Sequence, residues 1–171
     1  MTSSLIAVLI GAVALFVVAR DFRRVDLPFT VASRIARAAP FAAFAALSLF
    51  VAPRASRGRH PFQFDLGLSA TDIARSAMKL PHLRGYAVLF LLAVVALGVN
   101  RLVSALLACT TLGIACELAQ ATVVGHNARL ADLAPNLVGC LVALLLVVAV
   151  RALVSTQRRP RVAAGSSGHG P

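Results

Sequence analysis

Five long apolar blocks dominate this chain: Ser4–Ala19, Ala36–Ala52, Leu83–Val99, Leu102–Val124 and Leu133–Val154. About twenty apolar residues carry a helix across a bilayer. In hydrocarbon a backbone can satisfy its amides and carbonyls only within a helix or a closed barrel. The blocks are continuous instead of alternating, which selects the helix. The chain therefore reads as all-α, a polytopic membrane helical bundle of five transmembrane helices. The second block is the weakest span, because Arg34 and Arg37 precede it and Pro40 interrupts its first turns. Four spans plus a re-entrant segment is the alternative.

Composition agrees. Of 171 residues 59% are hydrophobic and 13% charged, against about a quarter charged in a soluble domain. The net charge of +11 does not point to nucleic acid, because the basic residues flank the apolar blocks and no zinc, helix-turn-helix or basic-aromatic motif is present. Cys109, Cys116 and Cys140 all lie in apolar segments and read as small buried hydrophobes, not as a disulfide or metal framework. Met1–Ala19 lacks a basic leader and is followed by Arg20, Arg23 and Arg24, the pattern of an uncleaved first span.

Charge bias orients the bundle. With the amino terminus outside, ten basic residues face the cytoplasm (Arg20, Arg23, Arg24, Arg34, Arg37, Arg101, Arg151, Arg158, Arg159 and Arg161). Seven face outward (Arg54, Arg57, Arg59, Arg75, Lys79, Arg84 and Arg129). Positive charge favours the cytoplasmic side. The expected location is the cell membrane, multi-pass, with the carboxy terminus inside. The link Asn100-Arg101 makes the third and fourth blocks an antiparallel hairpin. In the long loop from Pro53 to Pro81, Pro61–Gly67 is turn-like, and Ser69-Ala-Thr71-Asp72 starts a surface helix running to Leu80. The tail, 157–171, is basic and then Gly/Ser-rich and is expected to be disordered, its arginines near anionic lipid heads.

Polar residues inside the apolar blocks carry the functional signal. Thr110, Gly113, Glu117 and Gln120 share one helix face, as do Asp132, Asn136 and Gly139 with Cys140 beside them, and Lys79, His82 and Tyr86. Gly113 and Gly139 allow neighbouring helices to approach closely. The fourth and fifth blocks are joined by a short turn and the third begins at the same membrane face. Lys79, His82, Glu117, Gln120, His126, Arg129, Asp132 and Asn136 are thus expected around one shallow, outward cavity. Simpler roles compete: Asp132 as an N-cap ahead of Pro135, Asn136 and Gln120 as interhelical hydrogen-bond partners, and Lys79, Arg84 and Arg129 as head-group anchors. Glu117 is the hardest to dismiss in this way, since a lone carboxylate at that depth needs a cation, a proton or a ligand, and it reads as functional or pair-forming. No tight ligand spacing supports a metal, and no cofactor is expected.

These residues resemble the VanZ-like family of small bacterial membrane proteins. Its pattern, Lys-x-x-His-x-x-x-aromatic, then Glu-x-x-Gln, a short turn, and Asp-x-x-x-Asn-x-x-Gly, is matched by Lys79, His82 and Tyr86; Glu117 and Gln120; and Asp132, Asn136 and Gly139. The resemblance covers 79–146 within a membrane domain of 1–156. Two positions depart from it. His126 stands where the family usually has Arg, with Arg129 three residues on, and Met78 replaces an Asp before the first motif. The resemblance implies a four- or five-helix membrane fold and an envelope-associated role, in a family named for a protein linked to teicoplanin resistance.

Three functions follow as expectations. The first is an accessory or binding protein whose pocket (Lys79, His82, Tyr86, Glu117, Gln120, His126, Arg129, Asp132, Asn136) engages membrane lipids: an anionic head group, a lipid-linked cell-wall intermediate or a lipophilic glycopeptide. The second is a structural scaffold or homo-oligomer in which the stripes only join helices. The third is a lipid-modifying enzyme using His82 with Glu117 or Asp132; it lacks a nucleophile elbow, phosphate loop or metal motif, so no catalytic residue is assigned.

Overall fold

The computed structural model describes residues 31–54 and 58–157, with a few isolated positions before residue 21. The expectations for the first apolar block and for residues 158–171 of the tail lie outside the described residues. The elements run α1 (Val31–Val51), β1 (Phe64–Asp65), α2 (Ala70–Ala77), α3 (Leu80–Leu97), α4 (Leu102–Gln120), β2 (Ala128–Arg129), a 3-10 turn (Leu130–Asp132) and α5 (Leu133–Gln157). The fold is mostly helical, and four helices (α1, α3, α4 and α5) are long and apolar enough to cross a membrane. At 1.5 Å per residue, the 18 residues of α3 and the 19 of α4 reach about 27–29 Å, close to a hydrocarbon core of about 30 Å.

The second apolar block forms one unbroken helix of 21 residues with Pro40 inside it. Proline there removes the amide that would bond the Ala36 carbonyl, yet α1 continues to Val51. Its Arg37 side chain crosses to α3, donating from Nε at 3.0 Å and Nη2 at 2.6 Å to the Val95 carbonyl. That carbonyl is orphaned because α3 stops at Leu97, where Gly98 takes a φ of +89°. An arginine that caps one helix from another fixes the pair at this end.

The interior is built from small residues and a few large ones. Ala93, Ala96, Ala105, Ala108, Leu112 and Ala143 are buried together with Phe41, Leu89, Phe90 and Leu97. The outward faces are apolar too: Ile35, Leu47, Phe50, Val103, Leu107, Leu145 and Leu153 are all exposed. Small side chains inside and large apolar ones outside let backbones pack closely. Gly139 on α5 is the extreme case, since a Cβ there would stand 2.2 Å from the Leu83 carbonyl oxygen of α3 and 3.1 Å from the Ala87 amide.

Boundaries differ from expectation where other chain segments take over the backbone. The third block starts earlier, at Leu80, because Pro81 falls where a helix needs no amide donor. The fourth ends at Gln120, not Val124. The carbonyls just past that end accept from the long loop, the His60 amide donating to Thr122 O at 3.0 Å and the Gln63 amide to Ala121 O at 2.9 Å. The expected surface helix is α2, Ala70–Ala77, with Ser69 as its N-cap: the Ser69 hydroxyl accepts from the Asp72 amide at 3.0 Å. The turn-like Pro61–Gly67 segment holds β1, which pairs in parallel with β2, Phe64 opposite Ala128 and Asp65 opposite Arg129.

Two glycines test the close approach. Gly139→Ala is expected to destabilise the bundle by about 1–3 kcal/mol through forced separation of α3 and α5. Gly85→Ala on α3, where a Cβ meets nothing within 4 Å, is expected to be neutral or stabilising by up to about 1 kcal/mol. Thermal unfolding of both variants in detergent checks the opposite signs.

Candidate functional site

The amino-terminal ends of α3 and α5, the carboxy-terminal end of α4 and the short helix α2 meet at one end of the bundle. Asp132 is the knot that joins them. Its Oδ1 accepts from Ser76 Oγ at 2.7 Å and from Lys79 Nζ at 2.6 Å. One carboxylate thus takes a hydroxyl from α2 and an ammonium from the residue that precedes α3. Charge-assisted bonds of this length are the strong class, although Lys79 stays 44% exposed and its pairing is screened by solvent.

A second link lies deeper. His82 Nδ1 on α3 is 3.3 Å from Asn136 Oδ1 on α5, close enough for the ring N–H to donate. A Cβ on Gly113 of α4 would stand 3.1 Å from Asn136 Nδ2 and 3.4 Å from the Tyr86 ring and hydroxyl. The absence of a side chain at Gly113 therefore makes room for the Asn136 amide and for Tyr86. Asn136 is only 4% exposed, and it meets all three helices.

These groups surround a polar cavity of about 330 Å³, lined by Lys79, His82, Glu117, Gln120, His126, Arg129 and Asp132 with Asp72, Arg75, Ser76, Gly125 and Asn127. Of the nine pocket residues singled out in the sequence, seven line it. The remaining two, Tyr86 and Asn136, line a second cavity of about 280 Å³ on the other side of His82, Glu117 and Gln120, which border both. Gly113 and Gly139 stand at helix contacts behind the cavities.

Glu117 is the unusual member. It is 3% exposed, one helical turn inside the end of α4. Among the described residues its carboxylate has neither a hydrogen bond nor an ion pair. The permanent cations of the cavity wall are engaged elsewhere: Lys79 with Asp132 at 2.6 Å, Arg75 with Asp72 at 3.9 Å and Arg129 with Asp65 at 3.8 Å. His126, in the position the resemblance gives to Arg, lines the cavity, and its backbone amide closes a turn on the Val123 carbonyl at 3.0 Å.

Sequence reasoning missed Asp72, Arg75 and Ser76 as wall residues. The signal was present: with Lys79 they recur three and four apart, one face of the short helix. It also missed Asp65, which reaches Arg129 only through the pairing of β1 with β2. Among the described residues no three His, Cys, Asp or Glu side chains converge as metal ligands would.

No family profile, curated protein or solved structure matches the chain.

The knot makes an asymmetric prediction. Asp132→Ala leaves the buried Ser76 hydroxyl and the Lys79 ammonium without their acceptor, whereas Lys79→Ala leaves the carboxylate bonded to Ser76. Asp132→Ala is expected to be the more destabilising, and a double-mutant cycle between the two is expected to give a coupling of about 1 kcal/mol that shrinks with salt. Unfolding midpoints in detergent at low and high ionic strength check both statements.

Proposed function

We propose that this chain is an integral membrane protein of the bacterial envelope, crossing the bilayer five times with its amino terminus outside, and that its polar cavity opens outward and binds the head group of a membrane amphiphile. The ligand classes are those that the sequence raises: a lipid head group, a lipid-linked cell-wall intermediate or a lipophilic glycopeptide. The role is accessory, binding without catalysis. The single observation that carries it is Glu117, a buried carboxylate without a protein partner on the wall of a cavity that would hold a head group. Leaving such a group unpaired is costly, and the cost is recovered when a ligand supplies the missing partner. Apolar outer faces and helix lengths near the hydrocarbon thickness support the membrane setting. The VanZ-like resemblance supports an envelope location.

A structural scaffold is the second reading, favoured by the Asp132 knot and the His82–Asn136 contact, which tie helices without any ligand. The two readings part at Glu117. Under the binding reading, the wild-type protein released from native membrane retains a bound amphiphile in native mass spectrometry. Glu117→Gln then inserts and unfolds as the wild type does but loses that mass. A wild-type spectrum without any retained amphiphile, or a Glu117→Gln protein that no longer folds, favours the scaffold.

A further inference from the structure

The two cavities that share Glu117 differ in character, and the difference identifies the ligand more narrowly. The polar cavity is walled by charges that already have partners. Each of its lysine and arginine side chains is matched to a carboxylate, Lys79 to Asp132, Arg75 to Asp72 and Arg129 to Asp65. The charge left over is the Glu117 carboxylate, 97% buried by its 3% exposure. A pocket whose unmatched charge is negative is complementary to a cation that can donate hydrogen bonds, not to a phosphate or a carboxylate. The second cavity is a cleft between α1 and α3, with Phe44 and Val51 on one side and Pro81, Gly85 and Leu89 on the other. Most of its lining is apolar; the Ser48 hydroxyl on α1 is turned onto its own helix, donating to the Phe44 carbonyl at 2.8 Å, and the other polar groups are Tyr86 and the His82, Glu117, Gln120 and Asn136 side chains.

We propose that the site takes an ammonium-headed lipid, its amine seated on Glu117 where the two cavities meet and its acyl chain lying in the cleft between α1 and α3. This rests on the head-group reading above and adds to it the charge of the head and the path of the tail. The ammonium has three N–H donors; the Glu117 carboxylate takes one, and Gln120, which can accept another, lines both cavities beside it. The cleft gives the chain a route along the bundle without crossing the charged wall. Gly85 keeps that route open, since a Cβ there meets nothing within 4 Å.

The test uses the full chain in nanodiscs of phosphatidylethanolamine, phosphatidylcholine and phosphatidylglycerol in equal parts with identical acyl chains. Lipids retained on release are counted by native mass spectrometry. The expected result is selective retention of phosphatidylethanolamine, reduced about tenfold or more in Glu117→Gln, the loss of one hydrogen bond to a charged group. Gly85→Leu, which fills the cleft without entering the α3–α5 contact, is expected to release the lipid as well. Preferential retention of phosphatidylglycerol overturns the charge assignment while leaving head-group binding intact. Retention of no lipid by the wild type overturns both. Unchanged phosphatidylethanolamine retention in Gly85→Leu overturns the path of the tail. Should Glu117→Gln not fold, the wild-type preference and the Gly85 variant still decide.

Discussion

The contact on which the rest of this structure depends is the seating of Gly139 against the backbone of α3 at Leu83 and Ala87. Because a hydrogen atom replaces a side chain there, α5 approaches α3 closely enough that residues one turn away on either helix are set against each other. Asn136 reaches His82, and the Cys140 thiol lies 3.7 Å from the Tyr86 carbonyl. In a bilayer, the setting proposed for this chain, apolar side chains gain nothing by leaving water, so close packing and interhelical hydrogen bonds hold a bundle together. Here the packing step places the hydrogen-bonding step.

From that contact the site follows almost without further choices. Once α3 and α5 are fixed at their amino-terminal ends, Asp132 lies beside the start of α3 and draws in Ser76 and Lys79. The short helix α2 is thereby held against the 3-10 turn and the start of α5, across the cavity from Glu117 and Gln120 of α4. The lysine and arginine side chains around the Glu117 carboxylate are each paired with another carboxylate. A carboxylate left over among paired cations differs from an acidic cluster: it states a demand of one sign at one point.

Much of this was legible in the sequence, because it depends on short-range periodicity. Spacings of three, four and seven placed Glu117 with Gln120 and Asp132 with Asn136, and a topology of short links brought their ends together. The Ser69 cap followed from a serine three residues ahead of an aspartate. What was not legible depends on contacts between distant segments. Nothing local in Phe64-Asp65 or in Ala128-Arg129 announces a strand, since each is two residues long and exists only as the partner of the other. The early end of α4 has the same origin, as the Ala121 and Thr122 carbonyls just beyond it are claimed by amides some sixty positions earlier in the chain. The orphaned Val95 carbonyl, taken by Arg37, also lies beyond any local pattern.

The pairing of β1 with β2 has a consequence for how this chain can vary. Connecting segments ordinarily accept insertions and deletions freely. In a strand pair, a slip of one residue turns every side chain to the opposite face. Losing or gaining one residue before Phe64 would point Asp65 away from Arg129 and leave that arginine free to compete for Asp132 or Glu117. The segment between α1 and α2 therefore works as a ruler: its length, as much as its composition, keeps the third cation of the cavity wall out of the pocket's charge balance.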